Sequence, residues 1–287
     1  MSSDLGPPDA VVRDAVTRAL AEDLGPLGDI TSALLPADAR CTAVFVARVP
    51  GVLAGTSCAI ETYAQLDSSV AVEWHHRDGA ALAAGTAIGV VTGPLRPVLT
   101  GERTALNFLC HLSGIATITR RFVDAAAAGG DALILDTRKT LPGLRALEKA
   151  AVRAGGGVNH RGSLSDLVLV KDNHLAELGI AEAVKRAKEL WPGRAVEVEC
   201  ERADQVEEAV AAGADIVMLD NMTTDEVAAC VKLVRASSRP DTALEVSGGI
   251  SLETVTAYAA TGADLISTSA ITQSAPALDI ALDVALA

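Results

Sequence analysis

Residues 195–219 read AVEVECERADQVEEAVAAGADIVML. A short apolar run opens this stretch, a charged helical run follows, and a second apolar run closes it after Gly213. A continuous apolar strand, a helical crossover and another such strand form a β/α unit of a parallel sheet buried on both faces. The unit recurs from residue 131 onward. Strands are expected near 132–136, 167–170, 195–200, 215–219, 243–247 and 264–267. Helices are expected near 142–154, 178–190, 203–212, 224–236 and 251–260. Ala212-Gly213-Ala214-Asp215-Ile216 and Thr261-Gly262-Ala263-Asp264-Leu265 repeat the same helix-to-strand passage. A repeated β/α unit favours a barrel, complete or incomplete, over an open sheet.

The first part of the chain has a different texture. Residues 9–24 carry Val12, Ala15, Val16, Ala19 and Leu20 at helical spacing, with Asp9 as a cap. Strands alternate over 41–49, 52–57, 70–76 and 87–92, with a short helix over 58–66. Asp29 and Thr31 read as a turn or cap. Strands clustered together with helices beside them make an α+β domain. Residues 98–128 form the longest helical pattern, capped by Thr100 and kinked or divided at Ser113-Gly114. Residues 277–287 read as a closing amphipathic helix. The fold class is therefore α/β. A first domain spans 1–113, rejoined by helix 276–287, and an open β/α barrel spans 114–275.

At 287 residues, 49% apolar and 21% charged, the chain is globular. Aromatic residues make up 2%, so Ala, Val, Leu and Ile must build the core. A net charge of −13 argues against nucleic acid as a partner. No apolar run approaches the length of a membrane span, and the polar start MSSDLGPPDA lacks a signal-peptide pattern. The five cysteines have neither metal-ligand nor redox spacing, so they read as reduced thiols of a cytoplasmic protein.

Against that acidity, residues 135–175 hold seven cations and four anions. Arg145, Lys149 and Arg153 fit a solvated helix face. Arg138, Lys139, Arg161 and Lys171 instead follow apolar runs or Gly-rich turns, where loops leave strands. In a barrel the site lies at the C-terminal strand ends. Those ends carry Asp136, Thr137, Arg138 and Lys139; then His160, Arg161 and Lys171; then Glu199 and Asp220; then Ser247, Gly248 and Gly249; then Thr268 and Ser269. Cations in one place suit a small polyanion. Ser247-Gly248-Gly249 ahead of a helix suits a phosphate. Glu199 and Asp220, facing one another across the mouth, suit Mg²⁺ or a ribose diol. Glu197 is expected to point outward, to a surface partner.

The sequence closely resembles the quinolinate phosphoribosyltransferases over nearly its whole length. The resemblance is carried by Glu102–Asn107, His111–Ala116, Asp136–Arg145, Gly155–Arg161 and Lys171–His174, and more weakly by Glu22–Leu24, Gly28–Thr31, Leu219–Asn221 and Ser247–Gly249. It implies an N-terminal α/β sandwich and a C-terminal open α/β barrel. The implied reaction joins quinolinate and phosphoribosyl pyrophosphate, with Mg²⁺, to give nicotinate mononucleotide, pyrophosphate and CO₂. By resemblance, Arg138, His160, Arg161 and Lys171 hold quinolinate, and Arg103 arrives from the partner of a homodimer. Lys139, Glu199, Asp220, the Ser247–Gly249 loop, Thr268 and Ser269 hold phosphoribosyl pyrophosphate, with Lys139, Glu199 and Asp220 as the catalytic set. Ser269 and Gln273 stand where the family commonly has Gly and His, and Gly162-Ser163 replace an apolar residue and Gly. The alternatives are a paralogue of the molybdenum-transport-associated type and a non-catalytic binding protein.

Overall fold

The computed structural model describes residues 6–175 and 177–286. In chain order its elements begin with α1 (Asp9–Leu24), β1 (Arg40–Ala47), β2 (Gly51–Val52), α2 (Thr56–Leu66), β3 (Ala71–Trp74), β4 (Ala81–Leu82), β5 (Ala87–Pro94) and α3 (Leu95–Ala127). There follow β6 (Leu133–Leu135), α4 (Arg145–Ala154), β7 (Val168–Val170), α5 (Asp172–Leu175), α6 (Ile180–Leu190), β8 (Val196–Cys200), α7 (Ala203–Ala212) and β9 (Ile216–Asp220). The chain closes with α8 (Thr224–Arg235), β10 (Ala243–Ser247), α9 (Val255–Ala259), β11 (Leu265–Ser267) and β12 (Ile280–Leu286).

Two compact units result. The first takes the residues up to Arg120, then Thr140–Gly156, then those from Ile271 on; the second takes Arg121–Lys139 and Gly157–Ala270. The first unit carries an antiparallel sheet ordered β12-β1-β5-β3. Its core joins Phe45, Leu53, Tyr63, Ile88, Val91, Val98 and Leu109, all fully buried. Phe45 and Trp74 stack with ring centroids 5.2 Å apart, a contact that adds to their burial.

Several expectations for this unit need correction. The closing segment is strand β12, not a helix. Its Ile280, Leu282 and Val284 alternate, and β1 offers an open edge that strand pairing satisfies. Helix α1 is preceded by Pro8 and has no side-chain cap, so Asp9 is its first residue. Thr100 lies inside α3, where its hydroxyl donates to Asp29 Oδ2 at 2.9 Å. Asp29 does lock a turn, accepting from the amides of Thr31 and Ser32. Burial also overturns the solvated reading of α4. Glu148 is 0% and Lys149 6% exposed. His111 Nε2 lies 3.0 Å from Glu148 Oε1, and α1 packs on α4. The helix belongs to the first unit; its Glu148 and Lys149 meet protein rather than water, while Arg145 and Arg153 are half-buried.

Helix α3 runs unbroken through Ser113-Gly114. Ser113 donates to the Ala54 carbonyl at 3.1 Å and accepts from the Ala54 amide at 3.0 Å. A Cβ on Gly114 would strike the Pro276 carbonyl oxygen. The backbone there has no flexible tip to move aside. Gly114→Ala should therefore lower stability by about 1–3 kcal/mol despite its better helix propensity. Urea unfolding checks this, and an unchanged midpoint would refute the close approach.

The second unit is a six-stranded parallel sheet ordered β6-β11-β10-β9-β8-β7. The strands at its ends, β6 and β7, are not paired with each other among the described residues. The sheet curls as an open barrel. Val158 forms a parallel bridge to Leu135 on the free edge of β6. This bridge brings the Gly157–Arg161 segment to the end of that strand.

Candidate active site

Strand parity builds the site. Side chains two residues apart share a face. Leu169 and Lys171, Met218 and Asp220, and Glu245 and Ser247 all line one cavity of about 460 Å³. Arg138, Lys139, His160, Arg161, Glu199, Gly248, Gly249 and Ser267 complete most of its wall. Five of these barrel strands thus send their last inward residues to one mouth.

The loop after β6 is braced from inside. Asp136 is fully buried. It accepts from Asn159 Nδ2 at 2.6 Å and from the His160 amide at 2.9 Å. Thr137 Oγ1 accepts from the Lys139 amide at 3.0 Å. Arg138 and Arg161 are thereby delivered to the same wall. Burial, then the neighbouring charge of Arg138, depresses the pKa of Arg161. Two cations crowded together in partial burial favour an anion bound beside them.

Carboxylates stand opposite. Lys171 and Glu199 form an ion pair with side chains 41% and 10% exposed. Asp220 has its pKa raised, by burial first, with Lys171 opposing. Asn221 holds a positive φ of 55°, a conformation Asn tolerates. It donates from its side chain to Asp220 Oδ2 at 2.7 Å and from its amide to the Ser247 carbonyl at 2.9 Å. Glu199 and Asp220 sit on the neighbouring strands β8 and β9, not across the mouth from each other.

The glycine loop is open-sided. Gly248 and Gly249 hold φ of 93° and 64°, and a Cβ on Gly248 would strike Asn221 Oδ1. Nothing lies within 4 Å of a Cβ built on Gly249. The expected helix start behind this loop is not there, because α9 begins only at Val255. Only backbone amides, without a long helix dipole, remain to meet an anion.

Glu197 corrects a parity error. It is two residues from Glu199 and so shares its face. It is fully buried, with Oε2 3.1 Å from His160 Nε2. Glu245, which the sequence reading missed, is also fully buried, with Oε2 3.4 Å from the same nitrogen. The signal was available: Glu245 precedes Ser247 by two. The other nitrogen of His160, Nδ1, accepts the Arg161 amide hydrogen at 2.8 Å. Both ring nitrogens thus have partners within the protein. Burial lowers the pKa of His160, but the two carboxylates raise it further, to about 10. A second ring proton on Nδ1 would collide with the Arg161 amide. The hydrogen bond decides between these demands: the ring is neutral, with its proton on Nε2.

Comparison with known proteins now bears on this cavity. A family model described as the quinolinate phosphoribosyl transferase C-terminal domain matches residues 115–283, and the N-terminal domain model matches 29–113. The chain belongs to the quinolinate phosphoribosyltransferase family. A probable nicotinate-nucleotide pyrophosphorylase [carboxylating] of Bacillus subtilis is 44% identical, with 92% of this chain and 90% of the relative covered. The corresponding Mycobacterium leprae protein is 43% identical, covering 95% and 96%. A solved nicotinate-nucleotide pyrophosphorylase from Francisella tularensis superposes with a TM-score of 0.91 at 41% identity, covering 97% of each chain.

Within this family frame, some expected site residues lie elsewhere. Thr268 and Ser269 do not line the cavity; Ser267 does. Thr268 is buried, its hydroxyl donating to the Ile250 carbonyl at 3.1 Å and its amide to the Leu135 carbonyl at 3.1 Å. Arg103 is an exposed residue of α3 in the first unit, as is Gln273 near its end. Ser163 donates to Asp166 Oδ1 at 2.6 Å and closes its loop locally. No helix among the described residues is long and apolar enough to cross a membrane.

Proposed function

We propose that this chain transfers phosphoribosyl from phosphoribosyl pyrophosphate to quinolinate and releases CO₂, forming nicotinate mononucleotide and pyrophosphate. The observation that carries this reading is the charge layout of one cavity. Arg138 and Arg161, close enough for one charge to disfavour the other, line the same cavity as Glu199, Asp220 and an open glycine loop. Quinolinate is a planar dianion, and planar guanidinium forks match its carboxylates. Lys171 adds a third charge, released from Glu199 as the dianion arrives. The pyridine nitrogen attacks the anomeric carbon as the pyrophosphate bond breaks, so no general base is required. Positive charge grows on the sugar, and Glu199 and Asp220 stabilise it. Lys139 and the amides of Gly248 and Gly249 hold phosphate oxygens. Ribosylation makes the ring nitrogen cationic; the electron pair left by departing CO₂ flows towards it.

Glu199 and Asp220 offer hard oxygen donors from neighbouring strands, the donor type Mg²⁺ takes, and so fit that ion. When bound, Mg²⁺ offsets charge on the departing pyrophosphate. The five free cysteines suit a cytoplasmic setting.

The test is purified chain with quinolinate, phosphoribosyl pyrophosphate and Mg²⁺, assayed for nicotinate mononucleotide and CO₂. Product requiring all three components, and lost with a chelator, is expected. No product with quinolinate still bound would favour a paralogue's substrate.

The reading also includes a homodimer in which Arg103 serves the partner's cavity. Arg103→Ala and Arg161→Ala should each be nearly inactive alone. Mixed and re-associated, they should regain about a quarter of wild-type activity, since half the dimers carry one intact site. No recovery in a verified mixed dimer would place Arg103 in its own subunit's chemistry.

A further inference from the structure

At the cavity floor, two acids are buried without adequate partners. Glu197 Oε1 and both oxygens of Glu245 lack a hydrogen bond among the described residues. Both side chains are 0% exposed. A buried carboxylate without hydrogen bonds is costly, and a leucine at either position would not incur that cost. Unsatisfied buried acids of this kind mark function more often than folding.

A metal ion is the first candidate. His160, Glu197 and Glu245 bring donor atoms within 4.8 Å of one another. The tautomer argues against it. A metal on Nε2 requires the ring proton on Nδ1, where metal-bound histidines donate to an acceptor. Here Nδ1 meets a donor, the Arg161 amide, at 2.8 Å. Nε2 therefore carries the hydrogen, Glu197 Oε2 receives it at 3.1 Å, and Glu245 Oε2 faces the same nitrogen from 3.4 Å.

We propose that Glu197 and Glu245 are positioning residues of the quinolinate site: Glu197 takes the Nε2 hydrogen of His160, Glu245 faces the same nitrogen, and together they lock the ring whose Nδ1 anchors the Arg161 backbone. This rests on the function proposed above. His160 is then a strut rather than a ligand. Its amide is tied to Asp136 at 2.9 Å, its Nδ1 fixes the next residue, and its Nε2 faces the paired acids. The guanidinium of Arg161 leaves this strut from a fixed backbone. Glu197 also favours the charged form of Arg161. Arg161 can thus keep its charge beside Arg138 until a dianion binds.

Replacement by an apolar residue tests positioning against structure, because a buried unpaired acid contributes little to folding. Glu245→Met and Glu197→Met should keep or raise Tm. Each should raise the KM for quinolinate at least about tenfold, with the KM for phosphoribosyl pyrophosphate within about twofold. Glu197→Gln keeps an acceptor and should stay within about threefold of wild type for quinolinate. A fall in Tm with both KM values moving together would overturn the proposal, as would an unchanged quinolinate KM. Nitrogen-15 NMR of His160 gives an arm that needs neither turnover nor a variant. A protonated Nε2 with a bare Nδ1 is expected in the wild type. A proton on Nδ1, or a divalent cation found bound to the three side chains, would overturn it. If the wild-type enzyme does not turn over quinolinate, the functional reading fails while the NMR result still judges the cluster.

Discussion

Arg161→Ala should lower kcat/KM for quinolinate by about 10²–10³-fold, since a charge-assisted carboxylate contact and its fork geometry vanish together. The fold should not suffer. Arg161 is half-buried beside Arg138, whose charge already disfavours it. Its removal relieves repulsion with Arg138, so Tm should hold or rise slightly. Binding of phosphoribosyl pyrophosphate should change within about twofold, because its proposed contacts lie with Lys139, Glu199, Asp220 and the glycine loop. Arg161→Lys should recover only part of the loss: it restores the charge without the planar fork. Calorimetric titration with each substrate, steady-state kinetics and a thermal melt of both variants check these four statements. Unchanged quinolinate affinity in the alanine variant would remove Arg161 from the acid site.

The barrel strands were legible because burial on both faces forces continuous apolar runs, and all six appear within one or two residues of expectation. The last strand was not. In residues 277–287 Asp279 and Asp283 stand four apart, a helical spacing, while Ile280, Leu282 and Val284 alternate. Local periodicity cannot choose between them; the open edge of β1 does. The same limit hid the burial of Glu148 and Lys149. Their helix lies in sequence between two barrel strands yet packs in the other unit, and its exposed face cannot be assigned until that is known. Arg138, Lys139, Arg161, Lys171, Glu199 and Asp220 were visible as charges after apolar runs. Glu197 and Glu245 lie one step deeper on their strands. Their inward direction follows from Glu199 and Ser247 by parity, whereas the value of burying them depends on His160, which comes from a different segment.

Asp136→Ala should be the most damaging single change to the second unit, costing about 2–4 kcal/mol and lowering Tm by about 5–10 °C. The side chain is fully buried and accepts from both Asn159 Nδ2 and the His160 amide. Alanine removes both oxygens and leaves two donors facing a void. The backbone bridge from Val158 to Leu135 and the contact of His160 with Glu197 are then left to fix the segment that carries His160 and Arg161. Asp136→Asn should cost less. Its remaining oxygen can take the His160 amide, and the Asn159 side chain can turn its own oxygen towards the new amide. The two variants therefore separate hydrogen bonding from charge. If fixing the strand-end loop is what Asp136 does, quinolinate affinity should fall in the alanine variant and largely survive in the asparagine one, with urea midpoints in the same order. Equal losses in both would mean that the negative charge itself, rather than its two acceptor positions, holds the arginines in place.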